Sequence, residues 1–280
     1  MQYFDRGGEV EITGVSDFSP AKIFECGQCF RWNADEKKVY TGVAYGRAAQ
    51  VRLEGSSIYI SGSIEDFEAV WRSYFDLDRD YTEIRRRLCI DDFMHKATEY
   101  GAGIRILRQD SWEALCSFIL SQCNNIRRIG KIINTLCREF GDKLEFRGQE
   151  LYTFPPAERL ASLNEERLAP LRCGYRAAYI TGAAKAVANG ELDLAKLSRG
   201  APEDARTELK KLKGVGDKVA DCAVLFGLNM LDAFPLDVWM KRAIAEHYGT
   251  GFNPSVFSPY AGVAQQYIFY FVRNINQENT

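Results

Sequence analysis

Lys213-Gly214-Val215-Gly216-Asp217-Lys218-Val219-Ala220-Asp221-Cys222, with Pro235-Leu236-Asp237-Val238 downstream, decides how this chain is read. Helical patterning over 203–212 and again over 218–228 makes the two glycines a tight turn between helices. Such a turn lets its backbone N–H groups face a ligand, and the helix after it adds a partial positive charge at its start. Gly214, Val215 and Gly216 are therefore candidate phosphate contacts, although a glycine turn between helices also serves as a plain connection. Lys218 and Cys222 lie four residues apart and share one helix face. A lysine amine set against an apolar wall is a usable nucleophile near neutral pH. Asp237 follows a proline at the expected start of another helix, where a carboxylate serves as a cap, as a stabiliser of positive charge developing on a sugar, or as both. The set suits attack on the anomeric carbon of a nucleotide, which would expel the base and leave an imine to the opened sugar. That intermediate invites strand cleavage by β-elimination.

Working outward, 280 residues with 46% hydrophobic and 26% charged content suffice for a substantial core divided into subdomains. The formal net charge of −2 excludes a general positive field for nucleic acid, so contacts must come from local donors such as Arg128. No apolar run reaches the length of a membrane helix and no signal peptide is evident, so an intracellular protein is expected. Two histidines exclude a histidine-rich metal centre. The Cys26-Gly27-Gln28-Cys29 pair has redox spacing but lacks the strand-to-helix setting and a second pair.

The first sixty residues read as β: 10–15, 30–32, 39–45, 49–53 and 58–60, with Val51 and Leu53 alternating against Arg52 and Glu54. From Ser63, whose spacing to Asp66 marks a helix start, everything reads helical. The main segments are 63–75, 111–122, 125–140, 165–171, 175–188, 203–212, 218–228, 238–247 and 257–273. The expected architecture is α+β: an N-terminal antiparallel sheet domain with flanking helices over 1–107, then a helical domain over 108–280 that contains the helix-hairpin-helix at about 203–228.

These motifs resemble the helix-hairpin-helix DNA glycosylase superfamily, and specifically its 8-oxoguanine branch. The likeness extends to Cys26-Gly27-Gln28-Cys29-Phe30-Arg31-Trp32, Ile104-Arg105-Ile106-Leu107-Arg108-Gln109-Asp110, Asn124-Asn125-Ile126-Arg127-Arg128-Ile129, Gly174-Tyr175-Arg176-Ala177 and Tyr260-Ala261-Gly262-Val263-Ala264-Gln265. The resemblance implies a twisted antiparallel N-terminal sheet with two helical subdomains. It makes Lys218 the Schiff-base nucleophile and Asp237 the essential acid. It makes Gly27 the residue whose carbonyl accepts the N7–H of the damaged base, Cys222 and Phe269 the walls around that base, and Gln265 the reader of its Watson–Crick edge. Tyr175 would wedge into the duplex, while Arg128 and Arg176 would donate to the orphaned cytosine. Asn124, the glycine hairpin and Trp239 would complete the DNA contacts.

Two positions depart from the family pattern. Cys123 stands where an asparagine meets the opposite cytosine, so selection for that cytosine would be weaker or rest on the arginines. Trp239 stands where close relatives place a histidine, which alters a phosphate contact. The last cysteine is Cys222, so the iron–sulfur cluster of some relatives is not expected.

The implied activity is that of a bifunctional glycosylase and abasic-site lyase acting as a monomer on double-stranded DNA containing oxidised guanine, without catalytic metal or organic cofactor. A structural cation at the hairpin carbonyls stays open. So do two alternatives, an alkylpurine glycosylase of the same superfamily and a non-catalytic DNA-binding module.

Overall fold

A six-stranded sheet opens the chain in the spatial order β1 (Gln2–Asp5), β2 (Glu9–Thr13), β6 (Ser57–Ser61), β5 (Arg47–Glu54), β4 (Tyr40–Ala44) and β3 (Asn33–Ala34). The computed structural model describes residues 1–278. Helices dominate the rest of the chain, as expected for the α+β class. The chain forms two compact units: the first gathers 1–28, 51–108 and 229–280, and the second gathers 29–50 and 109–228. Strand β5 runs through the junction at 50–51.

In the first unit, Val10 faces Ile60 and Ile12 faces Ile58 across antiparallel β2 and β6, all essentially inaccessible to water. Below them Phe18, Phe24 and Trp71 gather round Phe75 at ring separations of 5.5, 6.0 and 6.2 Å. Arg105 is buried yet satisfied. Its guanidinium donates to the carbonyls of Asp17, Asp76 and Ser16 at 2.9, 2.7 and 2.8 Å and lies over the Tyr81 ring. A buried cation is tolerated only with such complete pairing.

In the second unit the helix Ser111–Ser121 is buried on nearly every face, the mark of a central core helix. It packs on the segment Ala223–Gly227, where the Leu228 N–H reaches back five residues to the Ala223 carbonyl and widens the helix by one residue. The Phe118 and Phe226 rings stack at 5.2 Å, and Ser111 Oγ donates to the Gly227 carbonyl at 2.8 Å. This packing fixes the helix that bears Lys218 against the end of the central helix.

Several sequence expectations need correction. Residues 30–32 form no strand; the extended pairing starts at Asn33. Leu53 is 42% exposed, because β5 is about to turn and its buried alternation ends at Val51. The stretch 165–171 is helical only as a single turn at Ala169–Leu171; Pro170 lacks the N–H that a longer helix would use. The region after Ser63 is not all helical: Lys143–Phe146 pairs with Gln149–Tyr152 around a two-residue turn in which Arg147 and Gly148 both have positive φ. Strand β1 and the helix Pro20–Glu25, capped by Ser19, also lie outside the sequence reading.

Candidate active site

The hairpin joins the helix Pro202–Leu209 to the helix Asp217–Cys222. Gly214 has φ +87°, and a Cβ there would stand 2.2 Å from the Tyr179 ring, so both its torsion and its close approach require glycine. Gly216 differs: its φ of −92° suits any residue, and a Cβ there would meet nothing within 4 Å. It stands at the helix start with no side-chain cap, leaving N–H groups free for an anion. Val215 is buried between the two glycines and anchors the turn. Arg206 binds Asp221 at 2.7 Å and Asp217 at 2.8 Å, so the two hairpin helices are also tied through charge.

Lys218 is half-buried at the first turn of the second hairpin helix. Its Nζ donates to Ser121 Oγ at 3.2 Å and lies 5.4 Å from the centre of the Phe118 ring. Ser121 Oγ spends its own proton on the Phe118 carbonyl at 2.8 Å, so towards the lysine it acts as an acceptor. Cys222, one turn beyond Lys218, is 3% exposed.

Also in the second unit, a polar link joins the central helix to Ile126–Phe140. Asn124 Nδ2 donates to the Leu120 carbonyl at 3.2 Å, and Asn125 Oδ1 caps the next helix through the Arg128 N–H at 2.9 Å. Cys123, just before them, is exposed with φ +45°. The buried Arg176 guanidinium holds this link, donating to the Gln122 carbonyl, to the Cys123 carbonyl at 3.3 Å and to the Cys173 carbonyl at 3.2 Å. Arg128 is exposed, with one bond to the Arg172 carbonyl at 3.2 Å. Tyr175 is 53% exposed at the start of Arg176–Ala188; its ring meets Tyr179 edge-on at 5.5 Å and Arg176 at 4.5 Å. Since Tyr179 also presses on Gly214, the exposed ring is braced by the glycine hairpin.

The first unit carries the remaining candidates. Gly27, with φ +85°, follows the C-terminus of Pro20–Glu25. On one side of it Gln28 is fully buried, donating to the Ile23 and Arg105 carbonyls at 2.9 and 2.8 Å and accepting from the Leu107 N–H at 2.9 Å. On the other, the Cys26 carbonyl accepts from Gln266 Nε2 at 2.7 Å. Burial pushes the Cys26 thiol up to about 11, so it remains a neutral core group. The C-terminal helix Ala261–Glu278 places Gln265 and Phe269 one turn apart. Gln265 is 5% exposed, and its Oε1 has no hydrogen-bond partner among the described residues. A buried orphan acceptor costs about 1–3 kcal/mol, so a group that completes it on binding repays a standing penalty. Phe269 is half-buried with the Arg273 guanidinium 5.8 Å from its ring. Asp237 caps Val238–His247 through the Met240 N–H at 2.8 Å, between the exposed Leu236 and Val238. Trp239 is half-buried, with Arg242 6.0 Å from its indole.

Sequence reasoning missed Ser121, Gln266 and the bonding role of Gln28. Ser121 ends a helix and breaks no periodicity, so nothing marked it. Gln266 carried one signal, an amide beside a second amide in an apolar run.

The chain matches the family model described as 8-oxoguanine DNA glycosylase, N-terminal domain, over residues 12–115, and the HhH-GPD superfamily base excision DNA repair protein model over 116–256. It is 32% identical over 264 residues to the N-glycosylase/DNA lyase of Saccharomyces cerevisiae, spanning 85% of this chain and 70% of that protein. The structure of MBOgg1 in complex with a low affinity DNA ligand superposes with a TM-score of 0.94 at 42% identity, covering 99% of this chain and 100% of that one. The Clostridium acetobutylicum 8-oxoguanine glycosylase/lyase, in complex with dsDNA containing cytosine opposite to 8-oxoG, gives 0.94 at 37% identity and 99% coverage of both chains.

Proposed function

This chain belongs to the HhH-GPD superfamily of base excision DNA repair proteins, on its 8-oxoguanine DNA glycosylase branch, and from that premise we propose that it excises 8-oxoguanine from duplex DNA and then cleaves the strand. The observation that carries the reading is the Lys218 amine, half-buried beside the glycine hairpin, donating a hydrogen bond to Ser121 Oγ.

In this reading Nζ bonds to C1′ as the C1′–N9 bond breaks, the electron pair leaves with the base, and the amine proton is transferred to that leaving group. Ring opening yields the imine, and loss of a C2′ proton expels the 3′ phosphate. Asp237 supports the positive charge that develops at C1′. Gly27 accepts the N7–H that 8-oxoguanine has and guanine lacks, Gln265 meets the Watson–Crick edge with its orphan oxygen, and Cys222 and Phe269 flank the ring. A buried polar group built for one hydrogen discriminates against its absence by up to roughly 10⁴–10⁵.

Tyr175 wedges into the gap left by the everted nucleotide, which costs a few kcal/mol of stacking and pairing to extrude. Arg128 offers free donors to the opposite cytosine. Arg176 serves chiefly by holding the Gln122-Cys123 link, and Asn124 by fixing its far end. Gly214, Gly216 and Trp239 meet backbone phosphates, while Val215, whose N–H is held by the Leu212 carbonyl at 3.1 Å, keeps the turn in shape between the two glycines. The protein acts as a monomer in the compartment that holds genomic DNA. The linear division into a sheet portion over 1–107 and a helical portion over 108–280 belongs to the same reading. Among the described residues no helix is long and apolar enough to cross a membrane.

Borohydride trapping on a duplex with 8-oxoguanine tests the chemistry. A covalent adduct is expected from the wild type and none from Lys218→Gln. Base release without trapping would indicate an alkylpurine-type enzyme, and neither outcome would leave a DNA-binding module.

A further inference from the structure

Gln265 and Gln266 are adjacent on the C-terminal helix, and both are buried among Val263, Ala264, Tyr267 and Ile268. A second amide in so apolar a run costs free energy unless it is paired. Gln266 is paired across a large sequence separation: its Nε2 donates to the Cys26 carbonyl at 2.7 Å, and the residue is 2% exposed. The peptide that carries that carbonyl leads into Gly27.

Gly27 is the soft joint of this turn. With φ +85° and no side chain, it has nothing of its own to hold its carbonyl direction. Its orientation is set by the groups on either side. On the C-terminal side Gln28 is clamped by its bonds to Ile23, Arg105 and Leu107. On the N-terminal side the side-chain clamp on the Cys26 carbonyl is Gln266. Holding the Cys26–Gly27 peptide on one side and the Gln28 side chain on the other narrows the swivel that glycine would otherwise allow.

We propose that Gln266 is a positioning residue for lesion discrimination: it sets the Gly27 carbonyl in register with Gln265 and Phe269, which the same helix carries. The proposal rests on the reading of Gly27 as acceptor of the N7–H. A hydrogen bond weakens steeply once distance or angle drifts, so a carbonyl free to swivel would lose contrast between a donor and a lone pair. Steps that involve no base do not depend on this register.

The test uses the full chain and three duplexes: 8-oxoguanine opposite cytosine, guanine opposite cytosine, and a preformed abasic site. In single-turnover assays Gln266→Met removes the donor at similar volume. Excision of 8-oxoguanine is expected to fall roughly tenfold, the scale of one buried hydrogen bond, while abasic-site cleavage stays within about twofold. Gln266→Glu sharpens the case, because a carboxylate repels the Cys26 carbonyl whereas a protonated carboxyl donates to it. Its ratio of excision to abasic cleavage, normalised to wild type at each pH, should recover as pH falls.

Excision and abasic cleavage that drop together in both variants would mark a merely structural residue and overturn the proposal. Full excision by Gln266→Met, or a pH-independent ratio in Gln266→Glu, would overturn it as well. A wild type that cleaves abasic duplex but releases no 8-oxoguanine removes the underlying functional reading, and the proposal with it; in the other failures that reading stands.

Discussion

Replacing Gly214 by alanine should destabilise the protein far more than the same change at Gly216, although the two glycines look alike in the hairpin motif. At Gly214 two penalties add. A φ of +87° costs a side-chain-bearing residue about 1–2 kcal/mol. The new Cβ would also stand 2.2, 2.4 and 2.6 Å from three atoms of the Tyr179 ring, which Tyr175 braces edge-on, so overpacking adds about 1–3 kcal/mol. The expected total is about 2–5 kcal/mol. Gly216→Ala meets neither penalty and, as a weak helix cap, should cost no more than about 1 kcal/mol. Equilibrium urea denaturation followed by tryptophan fluorescence measures both. A cycle with Tyr179→Ala separates the contributions, since removing the ring relieves the clash but not the torsion; the pair should fall short of additivity by about 1–3 kcal/mol. Equal losses at the two glycines, or strict additivity in the cycle, would refute the account.

Gln265→Leu should leave stability unchanged or raise it by up to about 1 kcal/mol, because it removes an orphan acceptor, while 8-oxoguanine excision collapses; denaturation and base-release assays on one preparation check both. Ser121→Ala should slow borohydride trapping several-fold with the fold intact, and Ser121→Thr, which keeps the acceptor, should retain most of the rate; unchanged trapping in the alanine variant would remove Ser121 from the site. Arg176→Leu should cost about 1–3 kcal/mol by abandoning the carbonyls that a buried guanidinium now satisfies, and Arg176→Lys should rescue it only in part because an ammonium lacks the fork; melting curves of the two variants decide this.

The helix-hairpin-helix was legible because its signals are local: helical periodicity on both sides and glycines at the break. The central strands were legible through residues such as Val51, whose alternation reports one buried face. Short elements escaped for the opposite reason. Pro20–Glu25 offers only a Ser-Pro start, and the hairpin at 143–152 turns on Arg147-Gly148, which carries no asparagine or aspartate to advertise positive φ. Lys218, Cys222 and Asp237 were reachable by chemistry and spacing, and Gly27, Gln265 and Phe269 only by resemblance. Ser121, Gln28 and Gln266 depend on partners distant in sequence, such as the 240 residues that separate Cys26 from Gln266. No local pattern encodes such a pairing.

The interleaving of the two units bears on biosynthesis. Residues 29–50 and 109–228 are all translated before residues 229–280, so the unit that bears the Lys218 amine has its full complement of chain first. The other unit must wait for the helix that carries Gln265, Gln266 and Phe269. A nascent or prematurely terminated polypeptide thus holds the candidate nucleophile before it holds Asp237 and the candidate base readers, so the proposed chemistry has to wait for the last fifth of the chain.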